Sequence, residues 1–262
     1  MYKYVISGAA AVAVIAGAFL LYPQCKEKKM TDLKQTDPEL AALWDNFINQ
    51  DVLPHGKLDV KTRYLTVLAT HIATQSVNEY KLILAQALEN GVSAVEAKEV
   101  VYQAVPYAGM AKVYDFIGAT NEVLAAKGLS LPLAGQSTTT PGNRLDKGFA
   151  VQSGIFGKDH IETMRQNAPQ ELKHIQDYLS ANCFGDYYTR TGLDIPTREL
   201  LTFTVLVSMG GAELQAKAHA QANLKVGNNK QKLLDTVTQI LPYIGYPRSL
   251  NAINIINEVS KD

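Results

Sequence analysis

The pattern Pro-Tyr-x-Gly stands at residues 106–109 and again at 242–245, and the surrounding sequence repeats with it. Gly91 pairs with Gly227 at the same offset, while Thr62-Arg63 pairs with Thr197-Arg198 at an offset shorter by one, so one residue was gained near Gly210-Gly211. A unit this long is a duplicated domain rather than a solenoid turn. The 262-residue chain therefore has to fold as two versions of one architecture, and the version that kept its polar residues is where chemistry can happen.

Apolar residues recur at three and four rather than two, in runs long enough for helices, so the class is all-α. In the first copy the pattern predicts helices over 38–51, 58–74, 77–91, 93–105 and 110–127. Ser93 followed by Glu96 is a capping box for the fourth of these. The second copy repeats the order at 193–210, 212–227, 229–241 and 248–259. Pro106 and Pro242 are expected to end the helices they follow, because proline has no amide to donate. Residues 129–143, rich in Thr, Pro and Gly, read as an interdomain linker. The domains are therefore 30–128 and 144–262, tandem duplicated helical domains of which the second carries a longer N-terminal extension over 144–192, expected to cover the mouth of its pocket.

Residues 1–29 stand apart: Val5 to Leu21 is an uncharged apolar stretch after Lys3, short for a membrane span and long for a signal core. It reads as an export signal, cleaved or lipidated at Cys25, or as an uncleaved anchor, the chain's one expected contact with a membrane; a start at Met30 would give a cytosolic form instead. Twenty-five basic residues balance 25 acidic ones, so no net field recruits nucleic acid. Cys25 and Cys183 are the two cysteines, too few and too far apart for a CxxC redox or zinc motif.

The pieces "DKGFAVQSGIFG", "FGDYYTRTGLDIPTREL", "AELQAKAHAQANLKVG" and "LPYIGYPRSLNAIN" follow one another across nearly all of 146–259. In order and spacing they resemble the carboxymuconolactone decarboxylase family, within the wider alkylhydroperoxidase-D-like group; residues 38–126 match it more weakly. The resemblance implies an all-α fold that forms rings, decarboxylation of a small carboxylated lactone, and no metal or organic cofactor. Peroxidase members of the group use a CxxC pair, but those positions fall near Ala212 and Gln215 here, and neither side chain can replace a thiolate.

His219 matches the family's histidine, eight residues before the helix-ending Gly227, and an imidazole can carry a proton near neutral pH. A lone histidine beside Ala212, Ala216 and Val226 can equally be a buried core residue. Glu199 precedes His219 at the separation the family uses to bring a carboxylate to the ring; alternatively it only favours the N-terminus of its helix. The first copy has Ile83 and Tyr64 at these positions, which leaves it without the pair. Arg190, Tyr187 and Tyr243 are the candidates for contact with substrate, Arg190 as a two-pronged partner for a carboxylate. Arg198 reads as a helix-end ion pair. The Pro-Tyr-x-Gly corner is mainly architectural, because both copies keep it.

Two functions remain open at this level. One is an enzyme, a carboxy-lyase with one site per chain and a small-molecule substrate. The other is a non-catalytic oligomeric binding or assembly protein of the same fold. In either case two copies per chain suggest a homotrimer that rebuilds a six-domain ring.

Overall fold

The computed structural model describes residues 33–260; the expectations for the export segment, for Cys25 and for a start at Met30 fall outside them. Every regular element among the described residues is helical. None of these helices is long and apolar enough to cross a membrane. The chain divides into two compact units, one ending at Asp45 and one starting at Asn46. In the first, α1 (Leu33–Thr36) is a single turn, and α2 (Pro38–Asn46) opens on a proline whose missing amide would have had no helical partner anyway. The helix expected over 38–51 stops being α-helical at Asn46 and continues as a π-helical segment, Phe47–Val52.

In the second unit the first copy supplies α3 (Val60–Ala73), α4 (Val77–Glu89), α5 (Ala94–Ala108) and α6 (Met110–Ala126). The extension supplies α7 (Arg144–Phe156), α8 (Lys158–Asn167), α9 (Lys173–Tyr178) and a π-helical segment, Leu179–Tyr188. The second copy adds α10 (Ile195–Met209), α11 (Glu213–Lys225) and α12 (Lys230–Val259). The duplication is visible in the caps. Asp59 accepts the Thr62 amide at 2.8 Å to start α3, and Asp194 accepts the Thr197 amide at 2.9 Å to start α10. Ser93 and Glu96 form the capping box of α5.

The prolines of the corner do not end their helices. α5 runs through Pro106 to Ala108, and α12 runs through Pro242; the breaks come at Gly109 (φ 85°) and Gly245 (φ 75°). One missing amide near a helix end costs a single hydrogen bond, whereas a positive φ cannot be continued as a right-handed helix and is tolerated by glycine.

α3 and α10 lie at the centre. Tyr64 to Ala73 are all buried, and so are Arg198 to Ser208, as expected for helices that are covered on every side. Their threonines can go inside because each hydroxyl finds a carbonyl one turn back: Thr70 bonds Thr66 O at 3.0 Å and Thr204 bonds Leu200 O at 2.8 Å. The two helices pack on each other, and each feeds the other copy's core. Leu201 and Val205 join Leu68 and Ile72, while Val67 joins Phe203 and Leu206. Each fully buried Leu or Ile contributes roughly 1.5–3 kcal/mol. Reciprocal straps add to this exchange. Gln239 on α12 donates to Val52 O and His55 O at 2.9 and 2.8 Å, and Arg198 on α10 reaches Glu99 on α5 at 2.8 Å.

The extension is pinned where α7 crosses the segment 179–188. A Cβ on Gly148 would sit 1.9 Å from Ser180 O and 2.5 Å from Gly185 N. Gly148→Ala is therefore expected to destabilise the protein by about 1–3 kcal/mol or more, by forcing the two backbones apart. A urea unfolding curve reads this directly, and an unshifted midpoint would show that the crossing is not close.

Candidate active site

Glu199 and His219 are each ten residues from Met209, the last residue of α10. The turn at 210–212 folds α11 back along α10, and the two helices pack with a stagger that brings Glu199, ten residues before the end of α10, against His219, six residues after the start of α11. His219 Nδ1 meets Glu199 Oε2 at 2.7 Å. With Nδ1 donating to the carboxylate, Nε2 is the nitrogen left for other work. Asn223 ties the two helices together by donating to Glu199 O at 2.9 Å, and it also bonds His219 O, one turn back on its own helix, at 2.7 Å. Glu199 is fully buried, while the His219 side chain keeps 10 % of its surface exposed. The second carboxylate oxygen, Glu199 Oε1, is buried with no hydrogen-bond donor among the described residues.

Two aromatic rings bracket the imidazole edge to face. Tyr107, from α5 of the first copy, lies 5.3 Å away at 88°, and Phe156, the last residue of α7, lies 5.5 Å away at 90°. Lys225 Nζ holds the end of α7 in place by donating to Phe156 O at 3.3 Å. Four helices thus converge on one ring.

From Tyr107 a buried polar chain leads away from the imidazole. The Tyr107 and Tyr188 hydroxyls are 3.0 Å apart, and Tyr188 meets Thr202 Oγ1 at 2.8 Å. Gln103 donates to the same Thr202 oxygen at 3.1 Å and accepts from Arg198 Nη1 at 3.0 Å. Arg198, with no exposed surface, donates through Nη2 to Glu99 Oε2 at 2.8 Å. Burial, with Cys183 and Glu199 nearby, holds the Tyr107 and Tyr188 hydroxyls well above the usual phenol range. Burial likewise pushes the Cys183 thiol up to about 12. Cys183 therefore stays a thiol that donates to Tyr107 at 3.5 Å and is not an active nucleophile. No three His, Cys, Asp or Glu side chains among the described residues come together as a metal site.

The other residues singled out in the sequence fall elsewhere. Arg190 is held by Glu99, with Nε 3.0 Å from both carboxylate oxygens, and its guanidinium stacks over Tyr102 at 5.0 Å. It lines a cavity whose wall includes neither Glu199 nor His219. The structure therefore separates Arg190 from the imidazole, because Glu99 binds the guanidinium first. Arg198 does form an ion pair at the start of α10, with Glu99 at 2.8 Å, but it is fully buried and part of the polar network. Tyr187 is half-buried beside Asp186, and its neighbour Tyr188 is the tyrosine that turns inward. Tyr243 packs against His71 of the first copy, with ring centroids 4.8 Å apart. The tyrosines of the repeated motif are thus exchanged: each corner serves the other copy. His71 itself is buried, donates from Nδ1 to Val67 O at 2.7 Å, and has its pKa lowered by burial.

Sequence reasoning misses Tyr107, Phe156 and Glu99. The motif does point to Tyr107, but nothing in the sequence says that it crosses to the second copy. Phe156 and Glu99 carry no local signal at all.

The model of the carboxymuconolactone decarboxylase family matches the chain twice, over residues 38–122 and 173–258. Among curated proteins, the 4-carboxymuconolactone decarboxylase of Acinetobacter baylyi is 29% identical over 119 residues, which cover 45% of this chain and 88% of that protein. The nitrosuccinic acid decarboxylase npaB of Metarhizium robertsii is 23% identical over 117 residues, 45% of this chain and 81% of its own length. Each relative is thus about the size of one copy.

Proposed function

Because the chain belongs to the carboxymuconolactone decarboxylase family, we propose that it is a cofactor-independent carboxy-lyase acting on a small carboxylated lactone or a related acid. The observation that carries this reading is the Glu199–His219 pair, 2.7 Å apart, with the carboxylate buried and 10 % of the His219 side chain still exposed. The names of the two relatives support it from outside, since both are decarboxylases, one of a carboxylated lactone and one of a nitro-substituted diacid.

In this mechanism the C–CO₂⁻ bond of the substrate breaks, CO₂ leaves, and the electron pair stays on carbon. The imidazolium Nε2–H transfers its proton to that carbon, and the imidazole regains one from water. Glu199 holds the ring by Nδ1 and fixes which nitrogen faces the substrate. Tyr107 and Phe156 give the ring apolar flanks. A carboxylate bound there sheds water, which favours a transition state whose charge is spreading.

The test is CO₂ release by the full chain against a panel of carboxylated lactones, small keto acids and nitro-substituted diacids. Glu199→Gln keeps an acceptor for Nδ1 but removes the charge, and is expected to lower turnover by about 10- to 100-fold on the responsive compound. Turnover unchanged in that variant would leave the carboxylate with a structural role alone.

A homotrimer is part of the same proposal. The helical stretch that follows the corner glycine in each copy presents an exposed apolar pair at equivalent positions, Met110 with Tyr114 and Tyr246 with Leu250. Four such side chains on one subunit suit two repeated contacts of a ring. Light scattering is expected to give three times the chain mass, and a strict monomer would count against the ring.

A further inference from the structure

Apart from the imidazole, α5 and α6 of the first copy and the linker line an open-mouthed cavity of about 440 Å³, within the roughly 300–1,000 Å³ range of small-molecule sites. Tyr102, Ile117, Leu131 and Leu133 supply apolar wall, and Lys98, Arg190 and Glu99 supply charge. The linker is fastened over this space. Thr191 N donates to Gln136 O at 3.0 Å, and Thr138 Oγ1 donates to Thr189 O at 2.8 Å.

The charges do not balance. Arg190 and Arg198 share the single carboxylate of Glu99, which is 1% exposed. Lys98, 9% exposed, has the amide oxygen of Asn121 as its partner and no carboxylate. Three cations thus face one anion, and two of the three ammonium donors of Lys98 are left over. Partial burial of an ammonium without a counter-ion carries a cost, and it pushes the pKa of Lys98 down. The second copy avoids this problem: at the equivalent positions of the repeat, Leu234 and Asp235 stand in place of Lys98 and Glu99, and Asp235 is satisfied by the Lys57 amide at 2.8 Å. The cation without a carboxylate partner is therefore particular to the copy that has the cavity.

We propose that this cavity binds a small organic anion with a flat apolar body, its anionic group on Lys98 Nζ and Arg190 Nη1 and its body between Ile117 and Leu133. This site is independent of the imidazole and stands whether or not the chain is a decarboxylase.

Calorimetric titration of the full chain with benzoate, and with benzamide as the uncharged counterpart, tests it. Benzoate is expected to bind at least tenfold more tightly than benzamide. Lys98→Gln should weaken benzoate at least tenfold without lowering the unliganded melting temperature, since it removes a partly buried charge that lacks a counter-ion. Gly135→Trp provides a second block: Gly135 lines the cavity and a Cβ there meets nothing within 4 Å, so a large side chain is accommodated at the cavity wall without a backbone clash. His219→Gln should leave benzoate affinity unchanged. Equal binding of benzamide, no binding of benzoate, or wild-type benzoate affinity in both cavity variants would each overturn the proposal. Loss confined to His219→Gln would move the ligand to the imidazole, ending this proposal and leaving the catalytic one intact. Conversely, a CO₂ screen that stays negative while benzoate follows Lys98 would end only the catalytic one.

Discussion

His219→Gln is expected to lower CO₂ release by about 10²–10⁴-fold, the usual contribution of a positioned general acid, while the protein still unfolds cooperatively near its wild-type temperature. Glutamine is the informative replacement because its amide can donate to Glu199 Oε2 as Nδ1 does, yet it cannot deliver a proton to carbon. Alanine confuses two effects. It would leave Glu199 buried with neither oxygen satisfied, since Oε1 has no donor to begin with, and a carboxylate stranded in this way costs several kcal/mol. The first copy shows how the fold manages without the pair, with Ile83 and Tyr64 at the matching positions. Placing those residues in the second copy, His219→Ile with Glu199→Tyr, should give a folded protein with no turnover. If His219→Gln instead keeps its specific activity per folded molecule and only melts earlier, the imidazole is part of the core and the non-catalytic assembly reading replaces the enzyme.

Glu99→Ala should be the most destabilising single change outside the apolar core. Its carboxylate is the counter-charge of two guanidiniums, one of them with no exposed surface, and breaking a buried pair from one side typically costs about 3–5 kcal/mol. For a unit of this size that corresponds to a fall in Tm of roughly 6–20 °C. Glu89→Ala is the contrast: it removes a partner of Lys127 on the surface, where the Glu89 side chain is 63% exposed, and should cost under about 1 kcal/mol. Replacing Arg190 and Arg198 together with methionine in the Glu99→Ala background should recover most of the loss, because the penalty comes from stranded charge and not from missing volume. A Glu99→Ala protein as stable as wild type would mean that solvent reaches these guanidiniums.

Much of the architecture follows from local rules. The helix starts at Asp59, Ser93 and Asp194 can be read from a cap residue and the amide it satisfies three positions on. The expected ends at Pro106 and Pro242 are displaced to Gly109 and Gly245, because the backbone dihedral, and not the missing amide, decides where the chain turns. The meeting of Glu199 and His219 is implied in the sequence only by the family resemblance, and the α10–α11 hairpin brings them to 2.7 Å.

The sequence by itself determined that this chain is helical, that it is one unit written twice, and that only the later unit carries an imidazole with a carboxylate at the family's spacing. Those are properties read along the chain, fixed by periodicity, capping and spacing. Only the tertiary structure decided that α3 and α10 share one core, that the corner tyrosines cross between copies so that Tyr107 flanks His219 and Tyr243 flanks His71, and that Arg190 answers to Glu99. Those contacts join residues far apart along the chain, at separations where no periodic signal survives. Which partner wins there depends on which buried charge most needs one.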